Sequence, residues 1–445
     1  MTRRPGSYSA LANLARANVV VAAVTFISGV LVARALGPER RGELATLVLW
    51  PSLVSHLALM GIHISLAREA AREPGRAAAC YQIGFRALSL SSIGAILVYC
   101  VAVGMLYWEK GSGQKPSLAL LAVLMVPFSV WAAFQMQMEL GRQNTSNFVL
   151  VRNSFAVLHL IFIAAAWLVG CSEVWIFLIA SIAAAFLATS IAQFRIAKGL
   201  ENHDGQRAAR VDAGRLLGVF SAAWPYALSG AVSTLTASAD RMLVSLFFEP
   251  RVMGLYVVTL AISQMQDLMG EAISQLFFSK VALGRRLHDI DKIWLALRLR
   301  QTMCVYLLLS CGTLLVAPVL LRLVFGERFS GSVDIVYMLI PILALKGAMR
   351  PFEEVLKGGG KPLAQARINA IATASFAISG GLAAWFGSLP VMLAAMFVCT
   401  LAGLAMIASA VAYETGLGLR QIVVPRPSDL AGMARQLLAA QRGGP

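Results

Sequence analysis

The sequence predicts an all-α integral membrane protein of about twelve helices, and three observations predict it. Hydrophobic residues fill 58% of the 445 positions and charged residues only 13%, whereas a soluble surface needs roughly a quarter of its residues charged. The apolar residues come in runs of about 20 separated by short polar breaks, the length of helix that spans a hydrocarbon layer roughly 30 Å thick. Lysine and arginine are shared very unevenly between alternate breaks. Backbone in lipid must satisfy its own hydrogen bonds, so each apolar run is a helix.

Taken in order, the predicted spans of the first half cover 11–33, 44–66, 83–106, 118–138, 148–169 and 174–194. Those of the second half cover 217–247, 255–279, 301–321, 333–349, 364–386 and 389–412. The first run follows Arg3 and Arg4 but has no small-residue cleavage site. With many further spans behind it, it reads as a retained helix rather than a secretory leader. Pro127, Pro225, Pro318 and Pro341 lie inside spans, where neighbouring helices re-satisfy the freed carbonyls.

Orientation follows from the basic residues. With the N-terminus in the cytoplasm, 27 of the 38 Lys and Arg fall in cytoplasmic segments and 8 outside. Arg86, Lys346 and Arg367, within four residues of a cytoplasmic span end, count with the cytoplasmic segments; the remaining three, Arg16, Arg152 and Arg241, lie within spans. Such a bias predicts that both termini are cytoplasmic. It also accounts for the net charge of +16 through contact with anionic lipid. Nucleic-acid binding is not supported, because no helix-turn-helix or aromatic-studded basic face is present.

Chemistry-bearing clusters are scarce. Cys80, Cys100, Cys171, Cys304, Cys311 and Cys399 lie in or beside apolar runs, without a CxxC and without His at ligand spacing. They read as small buried hydrophobes, and neither a metal nor a cofactor is expected. The outer connections are short and carry no Ser/His/Asp group or paired acids, so no catalytic residue and no enzyme is expected.

The longest internal polar break, 199–215, carries Asn202, Asp204, Asp212 and several arginines. It predicts an N-terminal six-helix lobe at 1–198, a linker at 199–215 and a C-terminal six-helix lobe at 216–412. A basic tail follows at 413–445. An even number of spans per lobe gives the halves one orientation, so a repeat between them would be parallel. Pro38 to Gly42 and Pro250 to Gly254 both read P-x-x-x-G, offset by 212 residues. The same offset sets Ser52 on Gln264, Ser55 on Asp267 and His63 on Gln275.

Polar residues at bilayer depth cost about 2.5–3.5 kcal/mol when charged, so they should face protein or water. In the seventh span Tyr226, Ser229, Ser233, Thr236 and Asp240 recur at helical spacing. The eighth span has Gln264, Asp267, Glu271 and Gln275. The second has Ser52, His56 and His63, and the first has Ser9, Asn13 and Arg16. Four such stripes suggest a wet cavity between the halves. Helix packing is the competing reading for each Ser, Thr and His, snorkelling for Arg16, and an ion pair with Arg241 for Asp240. Asp267 and Glu271, at i and i+4 in mid-span, need water, a cation or a proton.

The stretch from Val32 to Gly42, with Arg34-Ala35-Leu36-Gly37-Pro38 at its centre, resembles the R-x-L-G-P-x-x-x-G segment of polysaccharide (O-antigen type) flippases. These belong to the multidrug/oligosaccharidyl-lipid/polysaccharide exporter superfamily. Asp240-Arg241 running to Gly254-Leu255-Tyr256, Val324 to Phe329, and Leu356 to Lys361 look like the same family's second half.

The resemblance implies two six-helix lobes around a central V-shaped cavity, alternating access, and a bacterial inner-membrane location. It implies a cargo of undecaprenyl-pyrophosphate-linked oligosaccharide moved to the outer leaflet for surface polysaccharide such as O-antigen. Membrane lipids and polysaccharide assembly machinery would be its partners. Arg16 and Arg152 would then pair with pyrophosphate, which guanidinium matches in a bidentate way. Asn13, Asn18, Tyr226, Ser229, Ser233 and Thr236 would line the cavity and hydrogen-bond sugars. Asp240, Asp267 and Glu271 would couple transport to H⁺ or Na⁺. Those acids also keep open a different cargo, small amphipathic cations exported by a cation-coupled multidrug transporter.

Overall fold

The computed structural model describes residues 6–110, 116–142, 144–201, 213–263, 291–359, 361–426 and 429, with the side chains before residue 19, and some after it, left undescribed. Among these residues the chain is all helix and connecting turns. Among the described residues nine helices are long and apolar enough to cross a membrane. Most of the predicted intervals each fall on one described helix, but the second and fourth are each divided between two helices, and the eighth is described only as far as Ser263.

Helix α1 (Gly6–Ala58) carries the first span and most of the second. Its 53 residues would make a rod of about 80 Å if straight, far more than one bilayer can hold. It breaks at Gly37, whose φ of 72° and ψ of 178° leave the helical region. The sequence sets that break: Pro38 bars its predecessor from helical geometry, and a proline opens a new helix well.

The second span does not reach residue 66 as one helix. It ends at Ala58, and the chain turns through Met60 (φ 43°) and Gly61 (φ 68°) before α2 (Ile62–Arg72). A β-carbon on Gly61 would lie 2.6 Å from the Ala223 carbonyl oxygen and from the Ala227 amide nitrogen. Close backbone approach and a left-handed φ therefore both demand glycine there.

Next come α3 (Ala77–Lys110), α4 (Pro116–Ala122) and α5 (Met125–Gly141), the last two dividing the predicted fourth span at residues 123–124. Helices α6 (Thr145–Leu168), α7 (Val174–Glu201) and α8 (Ala213–Phe247) follow, then α9 (Pro250–Ser263). The remainder is α10 (Lys292–Leu320), α11 (Ser332–Gly358), α12 (Pro362–Trp385), α13 (Leu389–Thr415) and the short α14 (Leu419–Val423).

The chain forms two compact units. One comprises Met1–Ser245 with Glu249–Val257, the other Leu246–Phe248 with Val258–Pro445. In the first, α5 is central and packs on α1, α2, α3, α6 and α7 around Phe134, Met138, Ile163 and Phe177, all fully buried. In the second, α11 and α13 pack together and α10 lies against α11, around Leu299, Phe352, Val355 and Ile407. Large apolar side chains also cover outer helix faces, as at Leu90, Leu97 and Val98 on α3 and at Leu315, which is 80% exposed, on α10. Water would punish that surface and lipid does not.

The second unit ends in a clamp. Arg300 on α10 donates from Nε to Oδ2 of Asp429 at 2.8 Å and from Nη2 to Oδ1 at 3.1 Å. Its Nη1 holds the Gln421 carbonyl at 2.6 Å. The guanidinium keeps the Asp429 carboxyl below the usual carboxylate range. A lowered native value means the clamp contributes fully above about pH 4, the unfolded Asp value, and is lost as pH falls through the native one. Asp429→Ala should speed proteolysis of the tail at pH 7 by roughly tenfold, the worth of hydrogen bonds to a charged group. Unchanged cleavage would mean that the clamp holds nothing down.

Candidate functional site

The predicted polar stripe of the seventh span lies on α8. Tyr226 and Asp240 are 14 residues apart on it, about 21 Å along the axis, so the stripe runs along the helix and is not one cluster. At one end the Tyr226 ring sits under the Arg68 guanidinium at 5.5 Å, a cation–π contact. Ser233 is exposed. Thr236 Oγ1 donates to the Val232 carbonyl at 2.8 Å. The Ser229 side chain lies outside the described residues.

Asp240 is the best-defined member. It is 3% exposed, and it accepts a 2.6 Å hydrogen bond on Oδ2 from the hydroxyl of fully buried Tyr256. Helix α9 carries that tyrosine back past α8 after the turn at Phe248–Pro250. Oδ1 is buried with no partner among the described residues. Arg241 does not pair with it: Nη2 donates to the Ala237 carbonyl and the Ser238 hydroxyl, each at 3.0 Å. A buried carboxyl with one oxygen held and the other bare is a natural place for a proton or a small cation.

Arg152 is half-buried on α6, with no hydrogen-bond or ionic partner among the described residues. The side chains of Asn13, Arg16 and Asn18, and the whole of Asp267 and Glu271, lie outside the described residues. The structure thus joins Asp240 to Tyr256 and Tyr226 to Arg68. Two histidines of the first unit have hydrogen-bond partners. His56 Nδ1 donates to the Ser52 carbonyl at 2.8 Å, and His159 lies 3.1 Å from the Ser181 hydroxyl and stacks on Phe155. His63 Nδ1 has no hydrogen-bond partner among the described residues.

The paired P-x-x-x-G segments meet. A β-carbon on Gly42 would overlap the Pro250 carbonyl oxygen, and one on Gly254 would overlap that of Pro38. Each glycine is the seat for the other segment's proline. On the same side of the first unit, Arg40 Nη1 donates to the Ser172 carbonyl at 2.7 Å, so the α6–α7 turn and the start of the second span share one end.

Sequence reasoning missed a buried polar network. Glu139 on α5 is fully buried and accepts from Tyr81 Oη at 2.8 Å, Arg142 Nη1 at 2.8 Å and Asn147 Nδ2 at 2.9 Å. The i, i+3 pair with Arg142 was the only local signal. Tyr256 was missed as well, although it falls in a stretch that carried the family resemblance. Among the described residues no group of three or more His, Cys, Asp or Glu is placed to hold a metal.

Residues 11–269 match the family model described as polysaccharide biosynthesis protein. Among solved structures the chain is similar to the lipid II flippase MurJ in an inward closed conformation. The TM-score is 0.72 and the identity 12%, covering 91% of this chain and 88% of that one. It is also similar to an inward-facing multidrug resistance MATE family transporter of the MOP superfamily, at TM-score 0.68 and 11% identity, with 90% and 98% coverage. A eukaryotic MATE transporter matches at TM-score 0.63 and 13% identity, with 91% and 94% coverage. No curated protein sequence matches significantly. At these identities the structures speak for the fold alone, while the family match spans more than half the chain. The chain belongs to the polysaccharide biosynthesis protein family, and it is a multi-pass membrane protein with the fold of MOP-superfamily transporters.

Proposed function

We propose that the protein is a flippase. It would move an undecaprenyl-pyrophosphate-linked oligosaccharide from the cytoplasmic to the outer leaflet of a bacterial inner membrane, by alternating access of lobes 1–198 and 216–412. The observation that carries this reading is the family match over residues 11–269. A hydrated groove removes most of the penalty of moving a dianionic headgroup through hydrocarbon, while the polyprenyl tail stays in lipid. Arg152, which has no ionic partner among the described residues, would supply a forked donor for pyrophosphate, with Arg16 as its proposed companion on the first helix. Asp240 supplies the counter-ion step: a proton or Na⁺ on Oδ1 neutralises the carboxylate while Tyr256 steadies Oδ2. Asp267 and Glu271 are proposed for the same role.

The second reading, a cation-coupled multidrug exporter, draws on that same buried carboxyl and on the MATE fold. One reconstitution separates the two. Vesicles holding the protein and a fluorescent lipid-linked oligosaccharide should show label crossing between leaflets, while a fluorescent cation is not transported. Arg152→Ala should slow flipping roughly tenfold or more, the worth of a charge-assisted bond. Asp240→Asn should abolish the response to an imposed ion gradient. Cation efflux without flipping would replace the first reading by the second.

A further inference from the structure

Away from the residues proposed for transport, the first unit holds an open groove of about 870 Å³. It is lined by Asn144, Asn147, Ser190, Arg195 and Lys198, with Ile191 and Phe194 as apolar wall. Helix α7 supplies the basic and apolar groups from its C-terminal turns, and the start of α6 supplies the amides.

We propose that this groove binds the phosphodiester headgroup of an anionic membrane phospholipid. Charge is the first support. Arg195 and Lys198 are exposed and have no ionic partner among the described residues. Glu139, which shares Asn147 with the groove, is already committed to Tyr81, Arg142 and Asn147, so among the described side chains no acid neutralises the two cations.

Polar geometry is the second. Asn144 Oδ1 caps α6 by accepting from the Asn147 amide at 3.2 Å, which leaves the Asn144 Nδ2 donors uncommitted among the described residues. Asn147 is fixed by its bond to Glu139. Cations and amide donors around one opening suit phosphate oxygens.

Depth is the third. The groove sits at the end of the membrane-spanning stretch Val174–Gly199, where headgroups lie. Phe194, 72% exposed, continues the apolar face of that helix toward the acyl region. A soluble phosphate would gain nothing from that wall, whereas a lipid gains both halves. Basic pockets between transmembrane helices are recognised sites for acidic headgroups.

The test uses the full chain in nanodiscs of phosphatidylcholine with a minor fraction of phosphatidylglycerol, with retained lipid counted by native mass spectrometry. The double variant R195A/K198A should bind phosphatidylglycerol roughly 30-fold more weakly, the summed effect of two basic residues near a membrane surface. Phosphatidylcholine retention should not change, and R195K/K198R, which keeps both charges, should restore binding if the alanine pair proves unstable. Equal loss on removing Arg322 and Arg328, basic residues elsewhere in the chain, would reduce the effect to bulk attraction and overturn the site. Displacement of the lipid by millimolar inorganic phosphate, or by a polyprenyl diphosphate in preference to phosphatidylglycerol, would overturn the assignment of the occupant.

Discussion

Glu139→Leu is expected to destabilise the first unit by about 3–5 kcal/mol, the cost of leaving a buried charge without its partner. Leucine fills a similar volume, so the loss is electrostatic and not a cavity. Tyr81, Arg142 and Asn147 would each keep a donor aimed at a missing carboxylate. Arg142 is only partly exposed and cannot simply turn to water. Glu139→Gln keeps one acceptor and adds a donor that faces donors, so it should cost less, about 1–3 kcal/mol. Tyr81→Phe removes one hydrogen bond and should cost about 1 kcal/mol. Thermal unfolding in detergent would rank the three, and a wild-type melting temperature for Glu139→Leu would refute the network's role.

Gly42→Leu and Gly254→Leu should each cost about 3 kcal/mol, at the upper end for overpacking. A side chain can swing away from an intruding methyl. A prolyl carbonyl in a backbone cannot. Because each glycine abuts the other segment's proline, the two substitutions break one contact from opposite sides. Their costs should therefore not add, and the double variant should be little worse than either single one. Additive losses in the same unfolding measurement would show that the segments sit apart.

The spans were legible because lipid imposes a uniform demand: apolar all round, for about 20 residues. The break at Gly37 was legible too, since Gly-Pro carries its own geometry. The break at Met60–Gly61 was not. It lies in the apolar run Leu57 to Ile64, and its cause is the Ala223–Ala227 backbone, more than 160 residues away in sequence.

The candidate site divides in the same way. Asp240 stood out as a charge at bilayer depth, but the hydroxyl that holds it comes from Tyr256, which looks like one more aromatic in an apolar helix. An adjacent Arg241 suggested an ion pair, and helix geometry sends that side chain to its own preceding turn. Glu139 falls just past the predicted end of its span, 118–138, and drew no reading. Its burial depends on Tyr81, whose ring meets Phe134 edge-on at 5.5 Å, and nothing near Glu139 in sequence announces that.

The chain order of the Glu139 partners also bears on how the protein is made. Tyr81 is synthesised first, and Arg142 and Asn147 follow within eight residues of Glu139. Two of the three partners are therefore made almost together with the acid, so the carboxylate has its arginine at hand as soon as that stretch of chain is helical.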